Sequence, residues 1–257
     1  MCLENKLLSG GRTVTERETE IFHIIQQNPA ISQNELAAKL NLARSSVAVH
    51  IANLQKKGYI LGKGYIVNES AYVLGVGAAN VDIHGQSDAP IVMRDSNPGR
   101  LHLSAGGVCR NICDNLCRLG LTVELCSAVG GDAYGDMLRG ACTAAGIGTR
   151  HLAVFPAQNT SAYISIMDSE GDMLVAMSDM HILKEALTPS YVEGLLPVLN
   201  GADVCVADAN LSAGALETLA TRCTVPLMLD PVSTAWARNA APLAGYFHTL
   251  KPNLMEM

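Results

Sequence analysis

The stretch Tyr72-Val-Leu-Gly-Val-Gly-Ala-Ala-Asn-Val-Asp82 decides how the rest of the chain is read. Tyr72 to Val76 is an apolar run that passes into a turn of small residues and then reaches two polar side chains, Asn80 and Asp82. A run of this kind predicts a strand buried on both faces and closed by a functional loop. The pattern repeats downstream. Thr122 to Ser127, Val204 to Ala207, Leu227 to Leu229 and His248 to Leu250 are short apolar runs separated by helical stretches, each ending in a polar or glycine-rich turn. Such alternation predicts an α/β unit with a parallel sheet flanked by helices. Ligands of these sheets bind at the carboxyl ends of the strands. Asn80, Asp82, Asp132, Asp208, Asn210, Asp230 and Asn253 all follow strand ends, so a site is expected among them.

Composition removes several classes of protein. With 49% hydrophobic and 16% charged residues in 257, the chain can bury a core and is not a disordered segment. Its apolar runs are short, far from the roughly 20 residues of a membrane span. The start, MCLENKLLSGGR, has no signal-peptide core, so no membrane partner is expected. Eight cysteines without a C-x-x-C pair predict reduced thiols and a cytoplasmic location. Cys109, Cys113 and Cys117 fall on one helical face and read as small core residues rather than metal ligands.

Ahead of residue 71 the texture differs. Residues 1–70 hold eight Lys and Arg against six Asp and Glu, a net +2, whereas residues 71–257 hold ten against eighteen, a net −8. Different partners are expected for the two parts. Thr15-Glu-Arg-Glu18 and Ser32-Gln-Asn-Glu35 are capping boxes that open two helices, the first ending at Asn28-Pro29. A third helix is predicted from Ala43 to Lys57 with Val47, Ile51 and Leu54 inward, and a hairpin around Gly62-Lys-Gly64 follows. Three helices and a hairpin make a winged helix-turn-helix over residues 13–68, after a tail 1–12 and before a linker 69–71. The segment resembles the bacterial winged-helix regulators. That resemblance implies DNA as a partner, with Arg44, Ser45, Ser46 and His50 in the major groove and Lys63 on the wing. A protein-interaction module on the same scaffold is the alternative that the small net charge leaves open.

The second unit, residues 72–257, carries four motifs in order: Gly75-Val-Gly-Ala-Ala-Asn-Val-Asp82, Ala105-Gly-Gly-Val-Cys-Arg-Asn111, Ser127-Ala-Val-Gly-Gly-Asp132 with Gly135, and Lys251-Pro-Asn-Leu-Met-Glu256. Together they resemble the PfkB, or ribokinase-like, family of sugar and nucleoside kinases, and within it the pseudouridine-kinase branch. The resemblance implies that Asn80 and Asp82 bind sugar hydroxyls and that Gly106, Gly107 and Asn111 close around the same sugar. It implies that Asn253 approaches the phosphates of ATP and that Glu256 holds a water of the Mg2+ shell, which suits an ion that keeps several waters. Gln86 to Leu103 and Ser161 to Met177 resemble the family's small β lid, a surface through which a homodimer is expected.

One departure stands out. The resemblance implies a further segment with a G-A-G-D motif that supplies the catalytic base and an anion hole, and the 257 residues contain neither that motif nor a G-x-x-x-x-G-K-[ST] loop. The sequence therefore predicts a ribokinase-like domain incomplete at its C-terminus, without a catalytic base and inactive by itself. Two functions stay open: an ATP-dependent sugar or nucleoside kinase, and a sugar-sensing transcriptional regulator built on the same parts.

Overall fold

Two reciprocal caps set the first helices. Thr15 Oγ1 accepts from the Glu18 amide at 3.2 Å while Glu18 Oε2 accepts from the Thr15 amide at 2.8 Å, opening α1 at Glu16–Gln27. Ser32 and Glu35 repeat the exchange at 3.2 and 2.8 Å and open α2 at Gln33–Leu40. Asn41 stops α2 in the left-handed region, φ 51°, where its short polar side chain is tolerated. The chain then turns into α3, Arg44–Lys56. Ile21, Phe22, Ile25, Leu36, Val47 and Leu54 fill the space between the three helices. Glu18, buried among them, accepts from Lys57 Nζ at 2.6 Å.

The computed structural model describes residues 14–62 and 71–257. Lys63, the second half of the expected wing, the tail 1–12 and linker residues 69 and 70 lie outside the described residues.

The second unit begins with β1 at Val73–Val76. Next come β2 (Asn80–Ser87), β3 (Gly99–Gly106), α4 (Val108–Arg118), β4 (Val123–Gly130), α5 (Ala133–Ala144) and β5 (Gly148–Phe155). A hairpin of β6 (Ala162–Met167) and β7 (Met173–Asp179) precedes α6 (His181–Ala186), α7 (Pro189–Gly194) and α8 (Leu196–Leu199). The chain continues through β8 (Val204–Asp208), α9 (Ala213–Arg222), β9 (Leu227–Asp230), α10 (Thr234–Ala240) and β10 (Thr249–Leu250).

Six strands form an all-parallel sheet in the order β10-β9-β8-β1-β4-β5. Every residue of β4 is buried, as a strand covered on both faces requires. Ile182, Leu183, Val192 and Leu216 of α6, α7 and α9 cover one face, and Cys109, Cys113, Leu138 and Cys142 of α4 and α5 cover the other. Cys109 and Cys113 are thus core residues, with Cys117 half-buried beside them. Among the described residues no helix is long and apolar enough to cross a membrane.

A separate four-stranded sheet, β3-β2-β6-β7, forms the lid. It starts earlier than the sequence suggests. Asn80 and Asp82 are not in a loop before the lid but in its strand β2, which runs unbroken from Asn80 to Ser87. The reason is that the chain is broken only at Gly77 to Ala79, and from Asn80 to Ser87 every residue pairs with β3. Any movement of the lid therefore carries both polar side chains with it.

Candidate functional site

Asn80 sits at the first position of β2 and its Nδ2 donates to Asp82 Oδ1 at 2.6 Å. This fixes the carboxylate while leaving Asp82 only half-buried. Asp82 leans over Gly106, the residue paired with Asn80 across β2 and β3, and a Cβ at position 106 would overlap its carboxyl group. Gly107 follows at φ 98°, a conformation that a side chain disfavours, and a Cβ there would collide with the Ala78 carbonyl. The two glycines have distinct tasks: one makes room for a carboxylate, the other bends the backbone into α4. Gly107 caps α4 without a side-chain hydrogen bond, and the helix starts at Val108.

The structure brings Asn80, Asp82, Gly106 and Gly107 together. Asn111 follows one helical turn on, its amide donating to the Gly107 carbonyl at 2.8 Å. Asn111 lies exposed in the first turns of α4, and its amide oxygen accepts from the Arg110 guanidinium. Arg110, buried and also paired with Asp114 at 3.3 Å, is a residue that sequence reasoning missed. Ser161 is another. Its carbonyl accepts from the amide of Val81, between Asn80 and Asp82, at 3.0 Å, and its buried hydroxyl has no partner.

Two strand-end carboxylates prove to be scaffold. Asp208, fully buried, takes the amides of Ala78 and Cys109 on Oδ2, both at 2.9 Å, and the Asn210 amide and Nδ2 on Oδ1, both at 3.1 Å. It thereby fastens the loop after β1 and the start of α4 to the end of β8. Burial pushes its carboxyl above the usual aspartate range against the pull of those donors. Asp132 caps α5 through the Gly135 amide at 2.8 Å and also takes the Thr160 hydroxyl at 2.6 Å and amide at 2.8 Å. Burial raises its carboxyl, but these donors outweigh it and hold the group below the usual range.

Asn253 and Glu256 stand past β10 at the same carboxyl edge, three strand spacings, or about 14 Å, from β1. They bond each other, Nδ2 to Oε1 at 2.7 Å and the Asn253 amide to Oε2 at 2.9 Å; Asn253 is exposed and Glu256 half-buried. One partly accessible carboxylate fits a hydrated Mg2+ that arrives with a nucleotide, and does not fit a protein-only cage. Among the described residues no group of three metal-binding side chains converges.

In the first unit Arg44, Ser45 and Ser46 are exposed along the start of α3. His50 is half-buried with its Nδ1 enclosed and unbonded, so it contributes less to the outer face than its position suggests. Ser32, Gln33 and Asn34, at the start of α2, line a polar concavity with Arg44. Nothing in the sequence marks Gln33 and Asn34 for this place, since they stand between the capping residues Ser32 and Glu35 and take no part in the cap.

Residues 70–257 match the model of the pfkB family carbohydrate kinases, and residues 15–60 match the model described as winged helix-turn-helix DNA-binding. The chain belongs to the pfkB family of carbohydrate kinases. It is 42% identical over 245 residues to the uncharacterized sugar kinase YeiI of Escherichia coli K12, covering 95% of this chain and 67% of that protein. To the pseudouridine kinase of the same organism it is 39% identical over 191 residues, 74% of this chain and 61% of that one. Among solved structures, a carbohydrate kinase from Agrobacterium tumefaciens superposes with a TM-score of 0.64 at 28% identity over 70% of this chain and 60% of that chain. A ribokinase II of Escherichia coli in complex with ATP and Mg2+ shares the fold, with a TM-score of 0.57 at 17% identity over 71% of this chain and 62% of that chain. The chain thus spans about two thirds or less of the length of these relatives. In the pfkB domain the lid, the Gly106–Gly107 junction and the strand-end row share one edge of the sheet.

Proposed function

We propose that the pfkB domain holds a sugar or nucleoside between Asp82 and the Gly106–Gly107 backbone, as the acceptor for ATP-dependent phosphorylation of a hydroxyl. The observation that carries this reading is the Asn80–Asp82 pair. A carboxylate with one oxygen already bonded at 2.6 Å and the other facing a bare glycine backbone is an acceptor pre-set for paired hydroxyl donors. Asn80 orients the carboxylate, Gly106 keeps the space beside it open, and the lid strands exclude water when they close over a ligand. ATP with Mg2+ supplies the phosphoryl group when bound, and Asn253 and Glu256 are the residues that would face them. No base is assigned among the 257 residues, so binding is the property to test in this chain. Calorimetric titration with ribose and pseudouridine should give saturable binding, and Asp82→Asn or Asn80→Ala should weaken it by about tenfold, the worth of one good hydrogen bond to a charged group. Unchanged affinity in both variants would remove this reading.

The same proposal places DNA against the concavity of Ser32, Gln33, Asn34 and Arg44, and the protein in the cytoplasm. The lid's apolar side, with Leu101, Leu103, Ile164 and Met177 exposed, supports a homodimer through that sheet. A sugar-responsive DNA-binding regulator is the second reading, favoured by the backbone of Gly58, just past α3, packing directly on Gly201 of the kinase unit.

A further inference from the structure

The lid carries a second row of polar side chains that the Asn80–Asp82 pair does not use. Strand register places Asp82 between Ser104 of β3 and Tyr163 of β6. Two residues further along β2, His84 lies between His102 and Ser165. Residues two apart on a strand point the same way, and directly paired residues share a face, so both rows look out from the side of Asp82. The other side belongs to Ile83, Leu103, Ile164 and Ile166. His84 and His102 are exposed, whereas Ser165 is buried at 2% exposure and bonds His84 Nδ1 through its hydroxyl at 2.6 Å. One ring is thus held in orientation by a buried partner, with the second beside it across the strand pair.

We propose that His84 and His102, with Ser165 as the positioning residue for His84, form a second subsite that reads a planar polar heterocycle attached to the sugar, so that the ligand is a nucleoside rather than a free sugar. The inference rests on the reading of Asn80 and Asp82 as the sugar-holding pair. Successive rows on a strand stand about 7 Å apart, which suits a ligand of two linked rings lying along β2. Each histidine offers nitrogens that donate or accept and a flat face for stacking, the combination a nucleobase needs. A free pentose gripped at Asp82 leaves this row unused. A metal site is the poorer use of the same side chains, because two histidines with one already bonded to a serine fall short of a ligand set. An interface with a second copy suits the apolar side of the lid, not this one.

The test is equilibrium binding of D-ribose, uridine and pseudouridine to the full 257-residue chain and to four variants with unaltered thermal unfolding. We expect at least one nucleoside to bind tenfold or more tightly than ribose. His84→Gln and His102→Gln should each remove most of that advantage while ribose affinity stays within twofold, and Ser165→Ala should remove part of it. Asp82→Asn should weaken ribose and nucleoside alike. Equal affinity for ribose and both nucleosides, or histidine variants that change ribose and nucleoside equally, overturns the second subsite and leaves the sugar reading standing. Histidine variants that act on nucleosides while Asp82→Asn acts on nothing overturn the sugar reading instead.

Discussion

Asp208 and Asp132 both stand at strand ends, and sequence position alone assigns both to a ligand site. Position was legible; occupation was not, because two of the four donors that claim Asp208 come from Cys109 and Ala78, 99 and 130 residues away. Asn80 and Asp82 were legible for the opposite reason, since they pair within one strand at a separation of two. The role of Asp208 gives a prediction. In Asp208→Asn one of the two oxygens becomes an N–H2 group, which faces two N–H donors and leaves them without an acceptor inside the core. Unsatisfied buried donors cost about 1–3 kcal/mol each, so we expect a loss of about 3 kcal/mol, read as a lower urea midpoint at unchanged slope. Sugar affinity should fall with it, because the same bonds hold Ala78 and the start of α4 in place. An unchanged midpoint would show that the carboxylate is not the fastening described.

At the scale of elements, the helices of the first unit were readable because their signals are local: each capping box lies within four residues, and Ile21, Val47 and Leu54 follow the helical period. The start of α4 leaves no such signal, because Gly107 caps it through conformation and not through a side chain. The lid's hairpin is legible but the start of its β2 is not, since nothing in Asn80-Val-Asp82 distinguishes a turn from the first residues of a strand whose partner, β3, lies beyond an eleven-residue connection. Charge alone did not favour DNA for the first unit. The structure supplies geometry instead, setting the starts of α2 and α3 side by side around Arg44. If the concavity takes a DNA phosphate, Arg44→Ala weakens binding to every duplex sequence to a similar degree. It also lowers the slope of log affinity against log salt by about 1. Filter-binding or mobility-shift titrations at several salt concentrations check both. A variant with the wild-type salt slope would take Arg44 off the phosphate, and failure of the wild-type chain to bind any duplex would favour the protein-interaction alternative.

Across the whole molecule, the question is whether the two units are independent. Gly58 follows α3 at φ 77°, and a Cβ there would overlap the backbone of Gly201, the residue that joins α8 to β8. Tyr72, entering β1, donates from its hydroxyl to the Val198 carbonyl at 2.5 Å in the same region. A short physical route therefore runs from α3 through Gly58 and Gly201 into β8, and along β8 to Asp208, which holds the loop that leads into Asn80 and Asp82. Nothing in the sequence could show this, because no periodicity or motif marks a contact made by the backbones of two glycines. Gly58→Ala tests the route. The left-handed conformation alone costs about 1 kcal/mol for alanine, and overlap with a neighbouring backbone adds about 1–3 kcal/mol. Only the overlap is relieved if the helical unit swings away, since the turn itself is held inside that unit by the bonds of the Gly58 and Tyr59 amides to Gln55 and Leu54. We therefore expect the variant to keep sugar binding within twofold, because Asp82 and Asp208 lie wholly inside the kinase unit. Tryptic cleavage at Lys57 should become several-fold faster as the junction opens. Any effect of bound sugar on DNA affinity should shrink toward zero, since coupling between two sites needs an element that both of them bias. Intact protection at Lys57 together with undiminished coupling would place the connection between the units elsewhere.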